Sequence, residues 1–123
     1  MSKSNARKTV FALDDDPGTL RGLQRLLHAY GYDSQVFGST AEFNARANLA
    51  DAVCLVLDIN LDGASGIEFR QEIAARHALP VIFITSDDSQ TVRQKALNAG
   101  CIAYLMKPFS AESLVAAIEA ASV

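Results

Sequence analysis

The sequence predicts a doubly wound α/β sandwich, and three observations carry that expectation. Short continuous apolar runs of strand length recur along the chain. Between them lie segments whose apolar residues keep helical spacing. Acids, hydroxyls and a lysine fall just after the runs rather than within them. Runs apolar at every position suit strands buried on both faces, as in a parallel sheet, whereas a half-exposed sheet would alternate.

In chain order, Val10-Phe11-Ala12-Leu13 reads as the first strand. Asp16 then offers an N-cap carboxylate and Pro17 suits a first helical position. Leu20, Leu23, Leu27 and Tyr30 keep one helical face, and Gly31 is the stop. Residues 34–37 read as an edge strand and 39–49 as the second helix. Val53-Cys54-Leu55-Val56-Leu57 is the third strand and 65–77 the third helix. Val81-Ile82-Phe83-Ile84 is the fourth strand, with a helix over 89–99 closed by Gly100. Ile102-Ala103-Tyr104-Leu105 is the fifth strand. The last helix spans 110–121, with Leu114, Val115 and Ile118 facing inward. Five strands alternating with five helices imply right-handed crossovers with helices on both sheet faces.

A chain of 123 residues fits one domain. Surface scaling gives roughly 6,400 Å² folded against about 19,000 Å² unfolded, so about two thirds is buried. The composition, 50% hydrophobic and 20% charged, is that of an ordinary globular chain. Residues 1–8 are expected to form a short flexible N-terminus without the apolar segment of a secretory signal. No apolar run reaches membrane-spanning length. A net charge of −3 and a pI near 5.2 argue against a nucleic-acid partner. Cys54 and Cys101 read as buried structural thiols, which agrees with a cytoplasmic setting.

Asp14 and Asp15 follow the first strand, and Asp58 follows the third. Thr85 and Ser86 follow the fourth, and Lys107 follows the fifth. Ligands of open α/β sheets bind outside the carboxyl ends of the strands, so these residues form a constellation. Three carboxylates at close range repel, and a hard cation such as Mg²⁺ relieves that repulsion. One carboxylate can then act as a nucleophile toward phosphorus, giving an aspartyl phosphate. Lys107 would hold phosphate oxygens and Thr85 would donate a hydroxyl.

Leu13-Asp14-Asp15, Leu57-Asp58, Thr85-Ser86 and Tyr104-Leu105-Met106-Lys107-Pro108-Phe109 together resemble the receiver domain of two-component response regulators. The resemblance runs from Val10 to about Ala120, within a receiver domain expected over 9–123. It implies a flavodoxin-like (βα)5 fold with a five-stranded parallel sheet of order 2-1-3-4-5. It makes Asp58 the phosphoacceptor, and Asp14, Asp15, Asp58 and the Asn60 carbonyl the Mg²⁺ ligands. Thr85 and Tyr104 would be a switch pair, with Ser86 beside them and Lys107 on the phosphate, its bond to Pro108 cis. Asp62 stands where receivers commonly have proline, which should loosen that loop, while Gly66 is as the family expects.

The resemblance implies a stand-alone switch, not an enzyme beyond its own Mg-dependent phosphorylation and dephosphorylation. Its donor would be a histidine kinase or histidine phosphotransfer protein. Its downstream target would bind the face of the fourth helix, fifth strand and fifth helix, through Arg93, Tyr104 and Met106. It would be a monomer or an activation-dependent dimer. A rival reading takes Asp14-Asp15-Asp16-Pro17-Gly18-Thr19 as the D-x-D-G-T signature of haloacid-dehalogenase-like phosphatases, with Asp14 as nucleophile, but Pro17 interrupts the motif. Asp87 and Asp88 read as caps of the fourth helix, and His28 and His77 as helix-end residues without a metal role.

Overall fold

A computed structural model describes residues 9–61, 63–87 and 89–121. Five strands form one parallel sheet: β1 (Thr9–Leu13), β2 (Asp33–Phe37), β3 (Ala52–Asp58), β6 (Val81–Thr85) and β7 (Ala103–Met106). Two further strands, β4 (Asn60–Leu61) and β5 (Ala64–Ser65), make a small antiparallel hairpin after β3. The helices are α1 (Pro17–Ala29), α2 (Thr40–Arg46), α3 (Gly66–Ala74), α4 (Gln90–Asn98) and α5 (Ala111–Ala121). The sheet order β2-β1-β3-β6-β7 is 2-1-3-4-5 among the five long strands, the flavodoxin-like (βα)5 arrangement expected.

Continuous apolar runs become alternate faces of a doubly covered sheet. Phe11, Leu13, Leu55, Leu57 and Phe83 pack toward Phe43, Phe69, Ile73 and Ala96 of α2, α3 and α4. Val10, Ala12, Cys54, Val56, Ile82 and Ile84 pack toward Leu20, Leu23 and Leu27 of α1 and Leu114 and Ile118 of α5. Phe37 and Phe43 meet edge-to-face with centroids 4.9 Å apart, and Phe43 meets Phe69 at 5.3 Å. Such aromatic pairs add directional attraction to their buried area.

The sheet positions the site through its strand order. The chain leaves β1 for β2 on one side, and β3 lies on the other, so the order reverses between β1 and β3. The register sets Leu13 beside Leu57, and the next residues, Asp14 and Asp58, emerge together at that edge. Asp58 is in register with Ile84, and Thr85 with Met106, so Lys107 leaves the sheet at the same end.

Several local expectations need correction. Tyr30 keeps the spacing of Leu27, but it is the C-cap of α1 and its side chain is 47% exposed. The second helix stops at Arg46, because Ala47 turns to extended backbone and the Asn48 side chain accepts the Ala50 N–H to start a 3-10 turn. The third helix ends at Ala74 rather than residue 77, and the His77 N–H folds back onto the Ile73 carbonyl. In α5 the inward face is Leu114, Ala117 and Ile118, with Val115 only half-buried. Ile102 lies outside the ladder and is exposed. Cys54 is buried, but Cys101 is half-buried. Residues 1–8, the expected flexible N-terminus, lie outside the described residues, as do Asp62 and Asp88.

The cysteines give a first test. Burial pushes the Cys54 thiol up to about 12, and burial raises Cys101 as well. The thiolate is the reactive form, so a raised value suppresses alkylation across the neutral and mildly alkaline range. A thiol reagent should modify Cys101 slowly in the folded protein and Cys54 only when denaturant unfolds it. Mass spectrometry showing equal labelling of both in the native state would contradict this burial.

Candidate functional site

The site lies where β1, β3, β6 and β7 end. Asp14 is 1% exposed, and its carboxylate accepts the Asp16 N–H at 2.9 Å and the Lys107 ammonium at 2.8 Å. Asp58 is 5% exposed, and it accepts the Asn60 N–H at 2.9 Å and the same ammonium at 3.0 Å. Each buried carboxylate thus has one backbone donor from two residues ahead and one shared cation. Asp15 is exposed, yet it joins them: one carboxylate oxygen from each of Asp14, Asp15 and Asp58 lies within 4.8 Å of the others.

Three acids face one lysine. At an effective dielectric near 20, a like pair 4.8 Å apart costs about 3 kcal/mol. Burial raises the pKa of Asp14, and the nearby Asp58 charge adds to this, although the Lys107 and Asp16 hydrogen bonds pull the other way. For Lys107 burial favours the neutral amine, but its hydrogen bonds and charge attraction to Asp14 and Asp58 outweigh this and raise its pKa. Lys107 therefore stays an ammonium.

The run of three aspartates divides its labour. Asp14 points into the site, Asp15 stands at its rim, and Asp16 caps α1 by accepting the Gly18 N–H at 3.0 Å and the Thr19 hydroxyl at 2.9 Å. The Thr19 and Gly18 bonds hold the Asp16 carboxyl below its ordinary pKa. In the phosphatase reading Asp14 would be the nucleophile and Asp16 the second aspartate of the motif, whereas here Asp16 caps a helix.

Thr85 is fully buried at the end of β6, and its hydroxyl oxygen accepts the Asp87 N–H at 3.0 Å. The Asp87 carbonyl in turn accepts the Tyr104 hydroxyl at 3.2 Å. The backbone of one residue, Asp87, therefore connects Thr85 to Tyr104. Tyr104 is half-buried on β7, with the Arg93 guanidinium 5.7 Å from its ring centroid. Ser86 is exposed at the start of the same loop, and Asn60 is exposed in β4. The Lys107–Pro108 bond is cis, as the resemblance implied. Ser89, not an aspartate, caps α4 by accepting the Val92 N–H, while Asp87 accepts the Ser89 N–H at 2.8 Å. Both residue types cap helices, and the backbone places the serine at the capping position. His28 and His77 are exposed, distant in sequence from these acids. The signal missed in the sequence was Asp87, whose backbone rather than its side chain does the connecting.

The chain matches the family model of the response regulator receiver domain over residues 10–119. It is 32% identical to Nodulation protein W of Bradyrhizobium diazoefficiens over 98% of this chain and 54% of that protein. The chain thus spans about half the length of the curated relatives it matches. Among solved structures, response regulator StyR is 38% identical over 94% of this chain and 59% of that one, with a TM-score of 0.82. A CheY-like receiver domain protein from Methanospirillum hungatei JF-1 is 26% identical, covering 94% of this chain and 93% of that one, also with a TM-score of 0.82. The phosphatase reading finds no support in these matches. With the sheet order, the converging acids and these likenesses in agreement, the chain belongs to the response regulator receiver domain family, the signalling switches of two-component systems, for which phosphorylation and Mg²⁺ binding are general features.

Proposed function

We propose that residues 9–123 form a receiver that accepts a phosphoryl group on Asp58 from a histidine kinase or histidine phosphotransfer protein. The observation that carries this reading is the convergence of two buried carboxylates, Asp14 and Asp58, on the Lys107 ammonium, with Asp15 within 4.8 Å. An Asp58 carboxylate oxygen forms the new bond to phosphorus as the donor's P–N bond breaks, and the donor imidazole leaves. Lys107 offsets charge on one phosphoryl oxygen and Thr85 offers its hydroxyl to another, with Ser86 at the rim of the same loop. Thr85 is suited to this because its oxygen already accepts the Asp87 N–H, which leaves its proton to give.

The donor set fits a hard divalent cation, since three carboxylates and one ammonium leave an excess of negative oxygen ligands. Asp14, Asp15, Asp58 and the Asn60 carbonyl would hold Mg²⁺. When bound, the ion supplies positive charge that quiets carboxylate repulsion and neutralises phosphoryl oxygens.

Self-catalysed phosphorylation and dephosphorylation are part of this reading. So is output through protein contact on the α4, β7 and α5 face, at Arg93, Tyr104 and the 37% exposed Met106, by a monomer or an activation-dependent dimer. For these residues we favour protein partners over nucleic acid on the net charge of −3, and a cytoplasmic setting on the two free cysteines. Among the described residues no helix is long and apolar enough to cross a membrane.

Incubation with a small acyl phosphate and Mg²⁺ should add one base-labile phosphoryl group, and Asp58→Asn should abolish it. Retention in Asp58→Asn with loss in Asp14→Asn would overturn the acceptor assignment. Asp14→Asn should also raise the melting temperature of the metal-free protein. Its folded pKa is raised, so ionised Asp14 costs stability at neutral pH, and that penalty fades as acid protonates it. The gain over wild type should shrink in acid, and a gain independent of pH would contradict the assignment. Thr85→Ala should still be phosphorylated, yet a fluorine label at Tyr104 should no longer respond to a phosphoryl mimic. An equal response in both proteins would rule out a switch through this pair.

A further inference from the structure

Gly66, the first residue of α3, sits closer to the site's backbone than any side chain could. A Cβ built there would lie 2.2 Å from the Asp58 carbonyl oxygen, 2.9 Å from the Ile59 Cα and 3.0 Å from the Asp58 carbonyl carbon. All three neighbours are backbone, so no rotamer change can relieve the clash. The Gly66 N–H also donates to the Ile59 carbonyl at 2.7 Å, closing the base of the β4–β5 hairpin. Within that loop the Asn60 N–H returns to the Asp58 carboxylate. Asp58, Asn60 and the first turn of α3 therefore form one closed unit.

Local conformation does not require glycine here. Gly66 lies outside the left-handed region, unlike Gly31, Gly63 and Gly100. Alanine has the higher helix propensity, so a purely local account expects Gly66→Ala to be tolerated or stabilising. Gly22 in the middle of α1 is that ordinary case, since a Cβ there would meet nothing within 4 Å.

We infer that Gly66 is a positioning residue for the phosphoacceptor: its bare Cα lets α3 seat against the Asp58–Ile59 peptide, and that seating fixes Asp58 and Asn60 relative to Asp14 and Lys107. This rests on the reading of Asp58 as the acceptor. A Cβ would lever α3 away from the peptide, and the acceptor carboxylate would shift against its ammonium partner.

The test compares wild type, Gly66→Ala and Gly22→Ala for the rate of labelling by a small acyl phosphate at saturating Mg²⁺, for Mg²⁺ affinity, and for melting. Gly66→Ala should label Asp58 about tenfold more slowly or worse even at saturating Mg²⁺, as misplacement by a fraction of an ångström to an ångström does. It should also bind Mg²⁺ more weakly, while Gly22→Ala matches wild type. A merely structural glycine would lower the melting temperature and leave the saturated rate of the folded protein unchanged. Should Gly66→Ala fail to fold, amide NMR of the wild type carries the test: on Mg²⁺ addition the Gly66 amide should move in step with Asn60, and the Gly22 amide should stay still. Wild-type labelling rates in Gly66→Ala, or a silent Gly66 amide beside a shifting Asn60, overturn the inference alone. Labelling of wild type at a residue other than Asp58 overturns the acceptor reading and this inference with it.

Discussion

A single ammonium, Lys107 Nζ, bridges Asp14 and Asp58 at 2.8 and 3.0 Å, joining residues 93 and 49 positions apart in the chain. Neither carboxylate could be buried and ionised without such a partner, because desolvating a charge costs several kcal/mol. The partner exists only if β1, β3 and β7 end at the same edge, which in turn requires a wholly parallel long-stranded sheet. The fold and the site are thus one problem. The apolar runs form the sheet, the sheet aligns its carboxyl ends, and the aligned ends let the charges meet.

Around that bridge the backbone does much of the orienting. The Asp16 and Asn60 N–H groups each turn back onto a carboxylate two residues earlier, leaving the lysine the remaining oxygens. The Asp87 backbone does the equivalent for the hydroxyls: its N–H donates to the Thr85 hydroxyl oxygen and its carbonyl accepts the Tyr104 hydroxyl. Backbone groups cannot rotate away as side chains can, so the site is held even though Asp15, Ser86 and Asn60 are exposed at its rim.

What could be read from the sequence followed from burial, and what could not followed from geometry. Val53 through Leu57 announced a strand covered on both faces, and that alone placed Asp58 at a sheet edge. Asp14, Thr85 and Lys107 were legible for the same reason. The β4–β5 hairpin was not, since two-residue strands carry no periodicity. Tyr30 shared the spacing of Leu27, but spacing does not say where a helix ends. Ser89 and Asp87 are equivalent cap candidates by composition, and only the backbone path separates them. Gly66 was visible as a residue, while the carbonyl it must clear belongs to Asp58, eight positions earlier.

The two margins of the sheet have a consequence of their own. β2 has five residues, begins Asp33-Ser34-Gln35 and is half-buried until Phe37, while β7 has only four. Strand margins this short and, on β2, this polar are poor templates for backbone pairing with another chain. Such margins disfavour fusion with another chain, or with a second copy, through the hydrogen-bonding rim. Recognition is left to side chains, which can be released as readily as they are engaged.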